Sequence, residues 1–388
     1  MQEVRAYPTA IGGLIALATA LGIGRFVYTP ILPPMMQALA LGQSAAGMIA
    51  SANFLGYLLG ALLAAWPKLP GSRRTWLLGC LLLSAVTTAA MGAGSTLASF
   101  LLLRFVGGAT SAVVLVFASA IVLENLAETR RPGLAALHFA GVGAGVVVSA
   151  ILVAVLERAD LPWRSLWIAN GAVALLAAIA VPPLLCEARA PIHHARQSPA
   201  HSLDARLLRL IAAYGLFGFG YVITATFIVA IVRGAPAIRA LEPVIWIVFG
   251  LAAAPSVAIW TSLAARLGVS AAFALAAVVE ACGVLASVAW PSEIGLSLAA
   301  ILVGGTFMGL TALGLIRARA LASGDPRRAL ALMTAAFGLG QIIGPFFAGA
   351  VSDRLGGLTV PTVVAAVALL VAAALVSESR ILVLRAGQ

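Results

Sequence analysis

The sequence is short of charged residues, which make up only 10% of its 388 positions. A soluble globular domain carries about 25% charged and about 45–50% apolar residues. Here the apolar share is 62% and the mean hydropathy is +1.08. This composition excludes a water-soluble protein. It predicts an all-α integral membrane protein, because apolar runs of about 20 residues cross a bilayer as helices.

Motifs of several catalytic classes are also missing. There is no Walker A sequence, so direct use of ATP is not expected, and the absence of HExxH and GxSxG argues against a membrane hydrolase. The cysteines, which we interpret as packing residues, are Cys80, Cys186 and Cys282. The other residues considered as metal ligands are His193, His194 and His201. Neither set has ligand spacing, so we predict no metal, no cofactor and no enzymatic activity.

A window of about 19 residues finds twelve apolar segments long enough to span a membrane. They cover residues 9–37, 44–66, 76–94, 97–123, 133–156, 163–185, 206–232, 241–265, 270–290, 294–318, 330–353 and 358–378. Most connections between them are short. The exception is the polar, basic stretch 187–205, which we interpret as a cytoplasmic linker between an N-terminal bundle (1–186) and a C-terminal bundle (206–388).

The two predicted bundles repeat each other. The matching segments are "GIGRFVYT" (22–29) with "GFGYVITA" (218–225), "FVGGAT" (105–110) with "LVGGTF" (302–307), and "GVGAG" (141–145) with "AFGLG" (336–340). Their offsets are 196, 197 and 195. Three matches at a nearly constant offset indicate duplication. They predict two six-helix bundles related by a pseudo-two-fold axis along the membrane normal, as in many transporters.

The basic residues predict the orientation. With a cytoplasmic N-terminus, most of the 24 lysines and arginines fall in cytoplasmic segments, as the positive-inside rule requires. This places both termini in the cytoplasm and the chain in the inner membrane as a multi-pass protein. It also explains the net charge of +11 without a nucleic-acid partner. We expect a monomer that contacts membrane lipid and a small-molecule substrate.

Several segments carry a family resemblance over nearly the whole chain. "RFVGGATSA" (104–112) resembles the arginine and glycine motif of the major facilitator superfamily, and "GALLAAWPKLPGSRR" (60–74) resembles its basic loop without the usual aspartate. "GIGRFVYTPILPPMM", "SANFLGYLLGALLA" and "GQIIGPFFAGAVSDRLG" together resemble the YbfB/YjiJ-like branch. The resemblance implies alternating-access transport through a central cavity lined by the first, fourth, seventh and tenth helices. It implies no particular substrate.

Two arginines interrupt the apolar segments, Arg25 in the first and Arg104 in the fourth. Intramembrane charges are costly and commonly functional. Among the 13 acids, only Glu280 falls near the middle of a segment, and it belongs to the opposite half. The cavity is therefore predicted to hold uncompensated positive charge, which an anionic substrate, a carboxylate above all, would balance.

The role of Arg104 has two open interpretations. It either contacts substrate together with Arg25, or it hydrogen-bonds backbone carbonyls of the first helix. That helix contains Pro30, Pro33 and Pro34, and prolines free carbonyl groups from their usual partners.

Further candidates for substrate binding follow from helical spacing or from the repeat. They are Tyr28, Asn53, Tyr57, Tyr221 and Gln341. Each has the alternative role of an interhelical hydrogen bond, which is common for polar residues between membrane helices. The intramembrane residues that could couple transport to protons are His138 and Glu280.

Three functions are therefore compared. The first is a secondary transporter that moves a small organic anion. The second is a proton-coupled efflux antiporter for hydrophobic or cationic compounds, which requires an accessible acid in the cavity. The third is a membrane receptor or scaffold without transport, which requires a sizeable soluble segment that the sequence does not contain.

Overall fold

The computed structural model describes residues 3–66, 69–185, 204–322 and 326–377. Within these ranges the chain is helical and contains no strand. Nearly all of the predicted linker, the three histidines within it and Cys186 lie outside the described residues. Of the other cysteines, Cys80 is buried and Cys282 is exposed.

The described residues form fourteen α-helices. In chain order they are α1 (Glu3–Leu17), α2 (Tyr28–Leu39), α3 (Gln43–Ala64), α4 (Arg73–Ala90), α5 (Leu97–Glu128), α6 (Ala135–Arg158), α7 (Trp163–Ala180), α8 (Ala205–Arg233), α9 (Glu242–Ala253), α10 (Ser256–Leu267), α11 (Val269–Ala289), α12 (Glu293–Leu321), α13 (Pro326–Leu355) and α14 (Thr359–Ser377). Twelve spans among them are long and apolar enough to cross a membrane: α1 and α2 belong to one span, and α10 lies outside the twelve. The predicted number of spans is confirmed.

The first span is interrupted where the sequence places Arg25. After α1, residues Ala18–Ile23 form a π-helix, and α2 begins only at Tyr28. A π-helical turn shifts the backbone hydrogen bonds by one residue, as the bond from the Phe26 N–H to the Leu21 carbonyl shows. This turn and the prolines of α2 leave carbonyl groups without helical partners in the middle of the span.

The predicted eighth segment, 241–265, is also broken, because it holds the two helices α9 and α10 instead of one. Pro255 separates α9 from α10. Proline has no backbone N–H and its ring crowds the preceding turn, which interrupts a helix. The break lies beside the N-terminal half, since a side chain on Gly143 of α6 would overlap the backbone of Gly250 and Ala254.

The two halves meet along three pairs of helices. α3 packs along α13, α6 packs along α9, and α2 packs along α8. Close approach depends on small residues: a side chain on Gly47 would overlap the carbonyl of Pro345, and one on Gly349 would overlap that of Gln43. Large apolar side chains such as Leu176 and Ile294 are exposed on the outside of the bundles, where a membrane protein meets lipid.

Candidate functional site

A small cavity of about 10 Å³, which is room for about one water molecule, lies between the two halves, beside the break in the first span. Its lining is Arg25, Phe26, Tyr28, Thr29, Ala50, Phe54, Arg104, Val222, Ala225 and Thr226. α2, α3, α5 and α8 therefore all contribute to it. Both arginines that the sequence predicted to share a cavity line this one.

Arg25 is 4% exposed and lies among aromatic rings. Its guanidinium carbon is 4.1 Å from the ring centre of Tyr57, 4.7 Å from that of Phe54 and 5.3 Å from that of Phe26. Such contacts stabilise a cation by about 0.5–2 kcal/mol, depending on how far it is desolvated. The rings hold the guanidinium group in place without neutralising its charge.

The hydrogen-bonding groups of Arg25 are largely unused. Its Nε and Nη2 atoms are buried and have no hydrogen-bond partner. No carboxylate among the described residues forms an ion pair with it. Nε and Nη2 form the side-on edge of the guanidinium group, which can donate two parallel hydrogen bonds to one carboxylate. The free edge has the donor geometry of an anion site.

Arg104 is equally buried, but its terminal nitrogens are occupied. Nη1 donates to the Gly24 carbonyl at 3.0 Å, and Nη2 donates to the Arg25 carbonyl at 2.8 Å. The Arg25 carbonyl is available because its helical partner, the N–H of Thr29, bonds to Phe26 instead. Of the two interpretations of Arg104, the structure displays the contact with freed backbone. Its Nε atom is buried without a partner.

Asn53 and Tyr28 are also engaged with backbone. The Asn53 amide nitrogen donates to the Arg104 carbonyl at 2.8 Å and so ties α3 to α5. The Tyr28 hydroxyl donates to the Ala46 carbonyl at 2.7 Å, and its ring lies 5.1 Å from the Arg104 guanidinium carbon. Tyr28 thereby holds α2 against α3, and its hydroxyl hydrogen is not free for a ligand.

Tyr221 and Gln341 contact each other in the C-terminal half, but neither belongs to the cavity lining, to which that half contributes Val222, Ala225 and Thr226. The Gln341 amide nitrogen donates to the Tyr221 hydroxyl, and both side chains are buried. The Tyr221 ring is nearly parallel to those of Phe307 and Phe337, at interplanar angles of 13° and 7°. Tyr221 lies within electrostatic range of Arg25 and Tyr57. The Gln341 carbonyl oxygen remains unpartnered.

Phe54 and Phe26 belong to the site but were not among the predicted residues. Phe54 precedes Tyr57 by three positions on α3, so the two rings share a helix face. The same rule applied to Tyr214, Phe217 and Tyr221 would have predicted the aromatic cluster on α8. Aromatic residues in an apolar segment are usually core, and only the contact with Arg25 separates these rings from ordinary packing.

The two candidates for proton coupling lie away from the cavity lining. His138 of α6 is buried against α1 and α5, with its Nε2 atom 3.0 Å from the Ser119 hydroxyl. Glu280 of α11 is fully buried, and neither of its oxygens has a partner. It lies within electrostatic range of Tyr221. No group of three His, Cys, Asp or Glu side chains in the described ranges could hold a metal ion.

Comparison with known proteins agrees with this architecture. The model of a family described as "Uncharacterised MFS-type transporter YbfB" matches residues 17–377. No curated protein sequence matches the chain. The crystal structure of the nucleoside transporter NupG is 15% identical, with a TM-score of 0.70 and 96% of this chain and 98% of that chain covered. A bacterial homologue of the human lysosomal transporter Spinster, in an inward-facing and unoccupied conformation, is 17% identical, with a TM-score of 0.67 and 96% of both chains covered.

These structural likenesses concern the fold alone at such identities. The family match covers nearly the whole chain, and the chain belongs to this YbfB-type family of the major facilitator superfamily. The family resemblance seen in the sequence is thereby confirmed. The protein is a secondary transporter of this superfamily and an integral multi-pass membrane protein.

Proposed function

We propose that this transporter carries a small organic anion with a carboxylate group, and that Arg25 binds that carboxylate. The observation that carries the proposal is the side-on edge of Arg25, buried at 4% exposure with two unpartnered nitrogens. A charge kept at the centre of a membrane helix costs about 2.5–3.5 kcal/mol on insertion scales. A carboxylate that forms two charge-assisted hydrogen bonds along this edge would offset much of that cost.

Arg104 would act as a positioning residue. Its bonds to the carbonyls of Gly24 and Arg25 hold the break in the first span, and the break sets the direction of the Arg25 side chain. Its positive charge adds to the attraction for an anion in the cavity. Asn53 would support the same arrangement through the Arg104 carbonyl.

Transport would proceed by alternating access of the two bundles, with the N- and C-termini in the cytoplasm and the protein in the inner membrane. The cavity lies between the halves, where such transporters bind their substrates. Val222, Ala225 and Thr226 of α8 would close it from the C-terminal half. The binding residues of the N-terminal half and the wall of the C-terminal half would then move relative to each other as the bundles rock.

A proton-coupled antiporter for hydrophobic cations is the competing function. It would need an acid exposed to the cavity, but the described lining has two arginines and no carboxylate. Glu280 is buried between α11 and its neighbours. The charge of the lining favours an anion.

Thermal unfolding of the purified protein would separate the two functions. We expect carboxylates to raise the melting temperature of the native protein, because a ligand of the folded state stabilises it by mass action. Arg25→Gln should abolish that shift. Arg158→Gln is the matched control, because Arg158 is an exposed arginine of the same half. A shift with tetraphenylphosphonium, and none with carboxylates or phosphate, would decide for the competing function.

A further inference from the structure

We propose that the cargo of the Arg25 site is a carboxylate with an apolar body and no ammonium group. This inference rests on the proposed function and narrows it. It sets aside two large groups of biological carboxylates, sugar acids and amino acids.

The walls of the cavity carry few polar groups besides the arginines. Around the guanidinium group lie the rings of Phe26, Phe54 and Tyr57. Ala50 and Val222 add aliphatic surface. Of the three hydroxyl groups in the lining, that of Thr29 already donates to the Ala225 carbonyl and that of Tyr28 to the Ala46 carbonyl, which leaves Thr226. A body with several hydroxyl groups would lose its hydrogen bonds to water and find few replacements, which is unfavourable.

An ammonium group would find no counter-ion. The described lining contains two positive charges and no negative one. An amino acid would therefore place its cationic group in an already positive and poorly solvated site. An apolar or aromatic body, in contrast, is favoured by burial against these walls.

Four compounds test this with one protein preparation. The probes are 3-phenylpropanoate, phenylalanine (the same skeleton with an ammonium group), gluconate (a polyhydroxylated body) and 3-phenylpropanamide (the same skeleton without charge). We expect 3-phenylpropanoate to raise the melting temperature and to bind at least about tenfold more tightly than the others, since an unpaired buried charge or polar group costs more than 1.4 kcal/mol. Arg25→Gln should abolish the shift, whereas Arg158→Gln should retain it.

Thr226→Val provides a second test that does not remove the cation. Thr226 lines the cavity, and valine has nearly the same shape without the hydroxyl. Binding of 3-phenylpropanoate should be equal or tighter in this variant, and weaker binding would overturn the inference. A preference for gluconate or phenylalanine that depends on Arg25 would overturn the inference but leave the proposed function standing. If none of the carboxylates gives a shift that depends on Arg25, both fail.

A separate set of contacts supports a second inference, which concerns the opening of the cavity. The Asp353 side chain at the end of α13 accepts hydrogen bonds from the backbone N–H groups of Gln43 at 3.0 Å and Ser44 at 2.9 Å. These are the first residues of α3, in the other half. The residue before them, Gly42, has no side chain that could cap the helix. Asp353 supplies the negative charge that a helix N-terminus favours. We call this contact the Asp353 latch.

The repeat-related position carries a second contact between the halves. The repeat offset of 195–197 places the equivalent of Asp353 at residues 156–158, and Glu157 lies there. Glu157 at the end of α6 forms an ion pair of 2.7 Å with Arg233 at the end of α8. Arg233 also pairs with Glu242, the first residue of α9. We call this the Glu157 latch. Each latch therefore joins the two halves where helices end and begin. Asp353 at the end of α13 contacts the start of α3. Glu157 at the end of α6 contacts Arg233 at the end of α8, and Arg233 in turn contacts the start of α9.

We infer that the two latches close the cavity at this end of the molecule and that both must open for substrate to pass there. The positive-inside rule assigns this end to the outer face. Each latch connects rigid helices of opposite bundles, so rocking of the bundles separates its partners. Loss of one latch should shift the population towards the conformation that is open at this end.

Thiol labelling of the cavity measures that shift without any substrate. Thr226→Cys, in a chain whose own cysteines are replaced, reports access to the cavity. A membrane-impermeant maleimide, added to each face in turn, should label it two- to fivefold faster from the latch face after Asp353→Asn. That ratio corresponds to the 0.3–1 kcal/mol of a charge at a helix terminus. Asp160→Asn is the control, because it removes an exposed carboxylate from the same end.

A disulfide between Ser44→Cys and Asp353→Cys should have the opposite effect and slow the labelling from that face. Equal labelling rates for Asp353→Asn and Asp160→Asn would overturn the role of the latch. The same conclusion would follow if the disulfide left the rate unchanged.

Discussion

The Thr29 hydroxyl donates a hydrogen bond to the Ala225 carbonyl at 2.8 Å, and these two residues are equivalent in the internal repeat. Two equivalent residues can meet only beside the axis that relates the halves. The pseudo-two-fold axis therefore passes between α2 and α8. Arg25 and its equivalent Tyr221 precede them by four positions, about one helical turn away. The cavity is consequently built close to the axis, where rocking of the halves changes access from one side to the other.

The contacts of Arg104 predict a structural phenotype for its removal. Arg104→Gln would leave the Gly24 and Arg25 carbonyls without their donors, at a cost of about 1–3 kcal/mol for each buried group. We expect a clear fall in the melting temperature of the purified protein. Arg25→Gln should be as stable as the native protein or more stable. The substitution leaves no hydrogen-bond partner of Nε or Nη2 unpaired, and it removes a buried charge. The reverse order of stabilities would refute the distinction between the two arginines.

Adjacent glycines of α5 should respond differently to the same substitution. A methyl group on Gly108 would overlap the Asn53 carbonyl in α3, whereas on Gly107 its nearest neighbour, the Thr87 hydroxyl, is 3.4 Å away. Gly108→Ala must separate α3 from α5, and overpacking of this kind costs about 1–3 kcal/mol. Thermal unfolding should show the loss in Gly108→Ala only. Comparable stability of the two variants would argue against this packing.

Tyr57 should matter through its ring and not through its hydroxyl. We expect Tyr57→Phe to retain binding of 3-phenylpropanoate, while Tyr57→Leu weakens it because the guanidinium group loses the face on which it rests. The cation–π contribution of about 0.5–2 kcal/mol corresponds to a two- to thirtyfold loss of affinity. Titration of both variants measures the ratio. If Tyr57→Phe loses as much affinity as Tyr57→Leu, the hydroxyl is the important group.

Glu280 allows a test of proton coupling that leaves the cavity intact. Glutamine has nearly the same shape as glutamate but cannot exchange a proton. We expect Glu280→Gln to bind 3-phenylpropanoate normally and to lose accumulation driven by a proton gradient in proteoliposomes. Exchange of labelled for unlabelled substrate should persist. His138→Asn serves as the parallel variant, and proton-driven accumulation that survives in both would exclude these two residues as the coupling groups.

The membrane class, the number of spans and the repeat could be predicted from the sequence alone. Each follows from a property that is periodic or summed along the chain, so errors at single residues cancel. The intramembrane arginines were equally visible, because a charge inside a long apolar segment stands out. Arg25 and Arg104 nevertheless looked alike as sequence features, and the two interpretations of Arg104 could not be separated.

Other parts of the site depend on which groups meet across helices. Sequence patterns indicated that Asn53 and Tyr57 share a face of α3, but not that one binds backbone and the other supports a cation. The break at Pro255 was read as continuous helix, because proline is tolerated in membrane helices when neighbours satisfy the freed groups. The Asp353 latch joins residues about 310 positions apart, and no local pattern signals it.

Composition and hydropathy were thus sufficient to predict that this protein lies in a membrane and how many helices cross it, because lipid requires each span to satisfy its own backbone hydrogen bonds. The sequence repeat was sufficient to predict how the two halves are related. Only the tertiary structure decided which guanidinium nitrogens have hydrogen-bond acceptors and which have none. A guanidinium group becomes a binding site or a structural support according to whether a carbonyl from another segment lies within about 3 Å of it. In this protein the π-helical turn of the first span presents such carbonyls to Arg104 and leaves the side-on edge of Arg25 unpartnered.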